Sequence, residues 1–134
     1  MKNSKLQRVD KLRGIMLGLE MNLKLLDDDL GEVCNILIHL TKIESDLIYN
    51  IKLHKSNKVI TVAKEFQRSK DELVVIKEEI IKYNNFKDSI EKKIEKKLKA
   101  YQYYMDEHET AYNQLNSEAV ILLFRKDKNE QKED

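Results

Sequence analysis

The chain of 134 residues contains no proline, and only three glycines interrupt its helix-forming side chains. Proline removes a backbone donor and breaks helices, so its absence leaves no strong helix breaker in the sequence. Tryptophan is also absent and phenylalanine occurs three times, which is too few large side chains for the core of a compact globule. The composition therefore favours long helices that form a single domain over residues 1–134.

Cysteine and long apolar runs are scarce as well. The single cysteine, Cys34, cannot form a disulfide within the chain, which is typical of a reducing compartment. No apolar run reaches the roughly 20 residues of a membrane span, and the basic N-terminus lacks the apolar region and cleavage site of a signal peptide. A formal net charge of +1 argues against nucleic acid as a partner. We therefore expect a cytoplasmic protein that does not insert into a membrane.

Catalytic motifs are also missing from the sequence. There is no glycine-rich phosphate loop, no metal-binding spacing of cysteine and histidine, and no nucleophile elbow. His39, His54 and His108 are too widely scattered to form a site, and the neighbours Glu107 and Glu109 point in different directions around a helix. We expect a protein that is not an enzyme and that holds no metal ion or cofactor.

The most regular feature that is present is an apolar stripe from Val9 to Ile51. Its members alternate at spacings of three and four, and such a seven-residue repeat stays on one face of a supercoiled helix. Glu44 alone breaks the series. The stripe predicts a long coiled-coil helix over about residues 5–54, capped by Ser4. Its apolar members are Val9, Leu12, Met16, Leu19, Leu23, Leu26, Leu30, Val33, Leu37, Leu40, Leu47 and Ile51.

The polar residues 55–58 predict a turn, in which Ser56 is able to cap a following helix. The second helix is predicted over about residues 59–125, with a disordered polar tail over residues 126–134. A short turn between two matching seams predicts an antiparallel hairpin. The predicted fold is therefore all-α, a long antiparallel two-helix coiled-coil hairpin.

The second helix carries its own predicted seam. Between Lys87 and Leu98 the spacing becomes three, four and four, a stutter that is expected to unwind the supercoil locally. Folding the chain about Ser56 brings Val9 opposite Tyr104. In that register residues 108–124 extend past the first helix and have no partner in the chain. The predicted seam is Val59, Val62, Phe66, Ser69, Leu73, Ile76, Ile80, Tyr83, Lys87, Ile90, Ile94, Leu98, Tyr101, Met105, His108, Tyr112, Leu115, Ala119 and Leu122.

Two features mark the end of the hairpin that holds both chain termini. Basic residues outnumber acidic ones there, which suits docking on an acidic partner. The run of six apolar residues at 119–124 occupies every side of a helix and is preceded by several tyrosines, which favour interfaces. Two interpretations of this run stay open. It folds back against Ile15, Leu17 and Leu25, or it fits a socket on another protein.

The opening segment over residues 6–13, Leu-Gln-Arg-Val-Asp-Lys-Leu-Arg, resembles the start of the FliJ/YscO family. Members of this family are the central stalk proteins of flagellar and type III secretion export ATPases. The length, the turn in the middle third, the Lys/Glu-rich second helix and the polar tail are also similar to the family. Gly14 and Gly18 differ from it, because most members carry alanine or charged residues there.

The resemblance implies a non-catalytic stalk that inserts its terminal end into a hexameric secretion ATPase and is monomeric when alone. The opposite end would face the export gate or chaperones through Ile43, Ile48, Tyr49 and Phe66. The ATPase-binding residues, taken from the resemblance and the apolar run together, are Arg8, Arg13, Tyr101, Tyr104, Leu122, Leu123 and Phe124.

A second interpretation belongs to a different functional class. A coiled coil with the same apolar stripe is able to dimerise and to act as an oligomeric scaffold or a secretion chaperone. The two interpretations predict different behaviour in solution. A stalk is a monomer that binds one chain per six ATPase subunits, whereas a scaffold is a dimer or larger at micromolar concentration.

Overall fold

The computed structural model describes the backbone of residues 2–56 and 63–133 and the side chains of residues 4–56 and 63–123. Two helices make up this part of the chain, α1 over Lys2–Lys55 and α2 over Ala63–Glu133. They pack against each other as an antiparallel pair, and no strand occurs among the described residues. The predicted all-α helical hairpin is confirmed.

The bounds of α1 differ slightly from the prediction. The helix begins at Lys2 and includes Ser4, so Ser4 is not the residue at which the helix starts. It continues without a break through the acidic residues 27–29, because the seam on either side of them holds the helix in place. The last turn contains Lys52 and Lys55, whose charge complements the carboxyl end of the helix dipole.

Ser56 closes α1. Its backbone N–H donates to the Lys52 carbonyl at 3.1 Å, and its hydroxyl donates to the Leu53 carbonyl at 3.0 Å. Both acceptors are among the carbonyls that the end of a helix leaves without an internal partner. The rest of the predicted turn, and the predicted start of the second helix at Val59, lie outside the described residues.

The seam of α1 follows the prediction throughout. Every predicted position is buried or half-buried, including Glu44 at the place where the apolar series is interrupted. The most deeply buried are Val9, Leu12, Leu47 and Ile51. The seven-residue repeat therefore describes the buried face of α1 over six heptads.

The seam of α2 has no stutter, which corrects the prediction. Leu98 is 52% exposed and Tyr112 is 45% exposed, whereas Lys97 is half-buried and Ala111 is only 7% exposed. A lysine stem covers apolar surface while its amine reaches water, and alanine permits close approach of the helices. The half-buried or buried positions repeat without interruption as Phe66, Ser69, Leu73, Ile76, Ile80, Tyr83, Lys87, Ile90, Ile94, Lys97, Tyr101, Tyr104, His108, Ala111 and Leu115.

The register of the hairpin differs from the predicted one by a single heptad. Val9 packs with Ala111, and the ring of His54 meets the ring of Phe66, so the numbers of facing residues add up to about 120 at both places. The prediction placed Tyr104 opposite Val9. Because both seams repeat every seven residues, a shift by one heptad keeps apolar residues facing each other.

The carboxyl end of α2 is longer than predicted. Its backbone is helical to Glu133, although a disordered tail was expected from Lys126 onward. Adding residues to an existing helix avoids the cost of nucleation, and this segment contains no proline or glycine. The hydrophilic composition of the segment therefore does not end the helix.

The described residues group into two packing units. The terminal unit comprises Met1–Lys24 and Glu95–Asp134, and the middle unit comprises Leu25–Ile94. The terminal unit has a buried cluster of Val9, Leu12 and Ala111, against which Tyr104 and Leu115 pack. The middle unit buries Leu47 and Ile51. No helical segment among the described residues is long and apolar enough to cross a bilayer.

Candidate docking surfaces

Arg8, predicted to bind a partner, is engaged within the chain. Its Nη2 lies 2.9 Å from Oε2 of Glu107 on the other helix, and Lys5 forms a second ion pair with Glu118. The Arg8 side chain remains 63% exposed, so the contact is a surface ion pair of modest strength. The contact with Glu107 therefore partly neutralises the charge that Arg8 offers to an acidic partner.

Arg13 differs from Arg8. It is exposed and forms no ion pair with any other residue whose side chain the structure describes. Of the two predicted arginines, Arg13 is therefore the one whose charge is available to a partner without breaking an existing contact.

Tyr101 and Tyr104 belong to the packing between the helices. The Tyr101 hydroxyl donates to Oε1 of Glu20 at 2.7 Å. This hydrogen bond, helped by desolvation and by the negative charge of Glu20, raises the pKa of Tyr101 above its usual value of 10.0. Tyr104 packs on the buried cluster and meets the ring of Tyr103 edge-on at 5.3 Å. Both predicted tyrosines stabilise the hairpin, and Tyr103 is the one whose ring is mostly exposed.

A run of exposed apolar residues lies near the carboxyl end of α2, in the terminal unit. Val120, Ile121, Leu122 and Leu123 are consecutive, and each is between 45% and 64% exposed. Successive residues of a helix are rotated by about 100°, so four of them face every direction around the axis. We call these residues the apolar segment. The side chain of Phe124 lies outside those described.

The helix continues through the apolar segment, and no fold-back occurs among the described residues. Leu17 and Leu25, two of the predicted fold-back contacts, are 54% and 63% exposed. The predicted overhang is shorter than expected, because His108 and Leu115 are half-buried in the seam. In the observed register the start of α1 at Lys2 lies level with Glu118, so the overhang begins just before the apolar segment.

The surface predicted in the middle unit is mostly engaged in packing. Ile43 and Ile48 are half-buried, and only Tyr49, at 62%, is largely exposed. Phe66 is half-buried, with the His54 ring at 5.8 Å and the Lys70 Nζ 4.2 Å above its face. Such a cation–π contact covers an aromatic face that a partner would otherwise use.

Other apolar side chains of the middle unit are exposed to about the same extent as Tyr49, and no predicted surface included them. Among them, Ile38 is 69% exposed, Ile81 is 62% exposed and Val74 is 57% exposed. With the seam at heptad positions a and d, all three lie at position b, which is further from the seam than the flanking positions e and g. Apolar residues at position b would have indicated them.

The described residues form no candidate metal site, since no three histidine, cysteine, aspartate or glutamate side chains among them are arranged to hold an ion. Cys34 is a free, half-buried thiol. That the protein is not an enzyme remains a prediction. The chain matches no family model, no curated protein and no solved structure.

Proposed function

We propose that this protein is the non-catalytic central stalk of a type III secretion export ATPase and that its terminal end enters the hexamer. The observation that carries the proposal is the apolar segment Val120–Leu123, which projects beyond the start of α1 and is exposed at four consecutive positions. The resemblance of residues 6–13 to the FliJ/YscO family supplies the identity of the partner.

The geometry of the apolar segment favours a partner that surrounds the helix. A flat surface or one neighbouring helix covers about half of a helix, so it would leave at least one of the four side chains in water. The central opening of a ring covers all four. Burial of each such side chain is worth about 1.5–3 kcal/mol before the entropic cost of association is subtracted.

Charge in the terminal unit supports the same docking end. Arg13 is exposed and unpaired among the described side chains, and Lys11 is exposed one turn away from Arg8. Acidic loops around the opening of a ring would attract these cations, and the attraction would weaken as salt rises. In this proposal Arg8 exchanges Glu107 for a carboxylate of the ATPase.

The other partner of the stalk would be the export gate or chaperones. Tyr49 supports a contact in the middle unit, because its ring is largely exposed. The half-buried residues Ile43, Ile48 and Phe66 would pack beneath that surface and hold it in place.

An oligomeric scaffold or secretion chaperone is the second candidate function. The exposed apolar residues of the middle unit, Ile38, Val74 and Ile81, favour it, because a monomer gains nothing from exposing them.

The test is binding to a hexameric export ATPase, scored by co-purification and by stimulation of ATP hydrolysis. Leu122→Asp with Leu123→Asp should reduce binding at least about tenfold, since two apolar contacts are lost and two charges are placed in the socket. The matched control is Val74→Asp with Val75→Asp, an equally exposed neighbouring pair on α2 in the middle unit. The control should bind and stimulate like the unmodified protein.

Equal loss in both variants would point to a general effect of added charge and would remove the support for a socket. Normal stimulation by the Leu122→Asp, Leu123→Asp variant would overturn the proposed docking end. Arg13→Glu supplies a second arm: it should weaken binding most at low salt, and Arg8→Glu should have the smaller effect because Arg8 is already paired.

A further inference from the structure

One long side of the middle unit carries positive charge only, over the part of the hairpin nearest the turn. In an antiparallel pair the e positions of both helices, with the neighbouring b positions, lie on one side of the seam, and the g and c positions lie on the other. Over residues 38–55 and 66–82 the e and b positions carry four lysines and no acidic residue. We call this surface the lysine-rich side, and its lysines are Lys52, Lys55, Lys70 and Lys77.

The opposite side of the same residues has mixed charge. Its g and c positions carry three acidic residues, Asp46, Glu72 and Glu79, together with Arg68 and Lys82. Arg68 is already paired with Glu72 at 3.1 Å. Both sides expose aliphatic side chains, so the charge and not the apolar surface distinguishes them.

The positive charge of the lysine-rich side is not neutralised within the described part of the chain. Lys52, Lys55 and Lys77 are exposed, and none of the four lysines forms an ion pair with a described side chain. The Nζ atom of the half-buried Lys70 lies 4.2 Å from the ring centroid of Phe66, which contributes no charge. The seam of this region holds one carboxylate, the half-buried Glu44. One negative charge beside four positive ones leaves an excess of cations.

Aliphatic side chains lie among these lysines. Ile38, Val74 and Ile81 are more than half exposed at b positions, and Ile48 is half-buried at an e position. In the register set by the His54 and Phe66 rings, Ile38 and Ile81 lie at the same level on the two helices. They therefore form the two edges of the furrow that two helices leave between them when they pack side by side.

We propose that the lysine-rich side binds an amphipathic helix of another protein, one that carries carboxylates beside an apolar stripe. A third helix fits the furrow between two packed helices, where its apolar stripe contacts the aliphatic side chains. Carboxylates on its flanks complement the lysines, and complementary charge selects the partner. A flat bilayer would contact the outer b positions and would not reach Ile48 and Lys70 within the furrow.

The extent of the lysine-rich side limits the segment that binds. Residues 38–55 rise about 26 Å, which corresponds to about 17 residues of a docked helix. Further from the turn the same side of the middle unit carries Asp27, Asp88 and Glu91. These residues repel carboxylates, so the acidic part of the partner helix is confined to the region nearest the turn.

This inference goes beyond the proposed ATPase contact, which uses the apolar segment of the terminal unit. It identifies the partner by its chemistry, and it accounts for the exposure of Ile38 and Ile81 without a second copy of the chain. The test below contains no ATPase, so its failure leaves the stalk proposal unchanged, and failure of the ATPase test leaves this inference unchanged.

The experiment measures binding of the full chain to a fluorescent helical peptide of about 18 residues by fluorescence anisotropy. The probe has leucines along one face and glutamates at the positions beside them. A second peptide has lysine in place of every glutamate. The glutamate peptide should bind at least about tenfold more tightly than the lysine peptide, and the difference should shrink as salt rises.

Charge reversal on the protein supplies the second arm. Lys52→Glu with Lys77→Glu should weaken binding of the glutamate peptide at least about tenfold. The matched control, Lys82→Glu with Lys92→Glu, changes the net charge equally at exposed positions outside the lysine-rich side, and it should bind like the unmodified protein. If the first variant loses helicity, Lys52→Gln with Lys77→Gln repeats the measurement without added negative charge.

The apolar contribution is tested separately. Ile38→Gln with Ile81→Gln should also weaken binding of the glutamate peptide, because the edges of the furrow lose their aliphatic side chains. Leu25→Gln with Val75→Gln, at positions 63% and 55% exposed on the opposite side, is the control and should leave binding unchanged.

Equal affinity for the two peptides, or equal weakening by the two charge-reversal variants, would overturn the inference. Two further measurements examine other occupants of the same surface. Co-sedimentation with phosphatidylcholine vesicles, with and without phosphatidylserine, detects a bilayer, and sedimentation velocity detects a second copy. Vesicle binding or dimerisation that is lost in the Lys52→Glu, Lys77→Glu variant, with no binding of the glutamate peptide, would assign the surface to that occupant and overturn the inference.

Discussion

The terminal unit and the middle unit are built from the same two helices and the same seven-residue seam, but they are held together differently. In the terminal unit polar side chains join the helices, since Arg8 contacts Glu107, Lys5 contacts Glu118 and Tyr101 contacts Glu20. Among the described residues of the middle unit, polar contacts stay within one helix, as between Arg68 and Glu72.

A coiled coil must both pair its helices and align them in one register, and the two units show these requirements separately. Burial of the seam pairs the helices in both units. Polar contacts between the helices select one alignment, and the described residues place them in the terminal unit. The middle unit relies on apolar packing and also exposes apolar side chains, such as Ile38 and Ile81.

The largest expected effect comes from the same change made in the seam of each unit. Leu12→Asp in the terminal unit and Leu47→Asp in the middle unit should each lower the free energy of unfolding by about 3–4 kcal/mol, because both leucines are 8% exposed and aspartate would be buried without a partner. Urea unfolding followed by circular dichroism measures the loss. Leu17→Asp, at a position 54% exposed, is the control and should cost about 0.5 kcal/mol or less.

If Leu47→Asp cost no more than this control, seam burial would not be what holds the middle unit together.

A smaller effect is expected from the polar contacts that distinguish the terminal unit. A double-mutant cycle of Arg8→Ala and Glu107→Ala should give a coupling of about 0.2–1 kcal/mol, since the pair is largely exposed. The corresponding cycle on Arg68 and Glu72 should give about 0.3–0.5 kcal/mol, because that pair lies within one helix. High salt should reduce both couplings. A coupling of zero for the first pair would mean that it does not help to select the alignment.

The smallest effect concerns the hydroxyl of Tyr101. Because the hairpin raises its pKa, the protonated side chain stabilises the folded state below the unfolded value of about 10, and this contribution is lost as pH rises through the higher folded value. The stability difference between the unmodified protein and Tyr101→Phe should therefore be constant near neutral pH and shrink above pH 10. Thermal melts across this range measure it. A difference that does not change with pH would exclude a contribution from the contact with Glu20.

The seam could be predicted from the sequence because a spacing of three and four is visible in the residues themselves. The alignment of the two helices could not, since sliding by one heptad leaves every apolar residue facing another seam position. Nor could the seam positions of Lys97 and Ala111, because the neighbouring Leu98 has the more hydrophobic side chain and Tyr112 the larger one. Backbone geometry, which continues the repeat without interruption, decides in favour of the less apolar residues.

The candidate surfaces were predicted less completely. Leu122 and Leu123 are exposed as expected, because six apolar residues in a row cannot all be buried by one helix. Arg8, Tyr101 and Tyr104 turned out to contact the opposite helix, and no spacing in the sequence shows which charges on two helices meet. Ile38, Val74 and Ile81 were missed because they lie at position b, further from the seam than the flanking positions that were considered.

A seam that repeats every seven residues does not by itself fix the register of the two helices. It allows alignments that differ in steps of seven residues, or about 10 Å along the helix. The ion pairs of Arg8 with Glu107 and of Lys5 with Glu118 fix the register, because a shift by one heptad places no carboxylate opposite either cation. The distance by which the apolar segment projects beyond α1 is therefore set by a few polar atoms. Moving those atoms along the helix by one heptad would lengthen or shorten the projecting end by one full step.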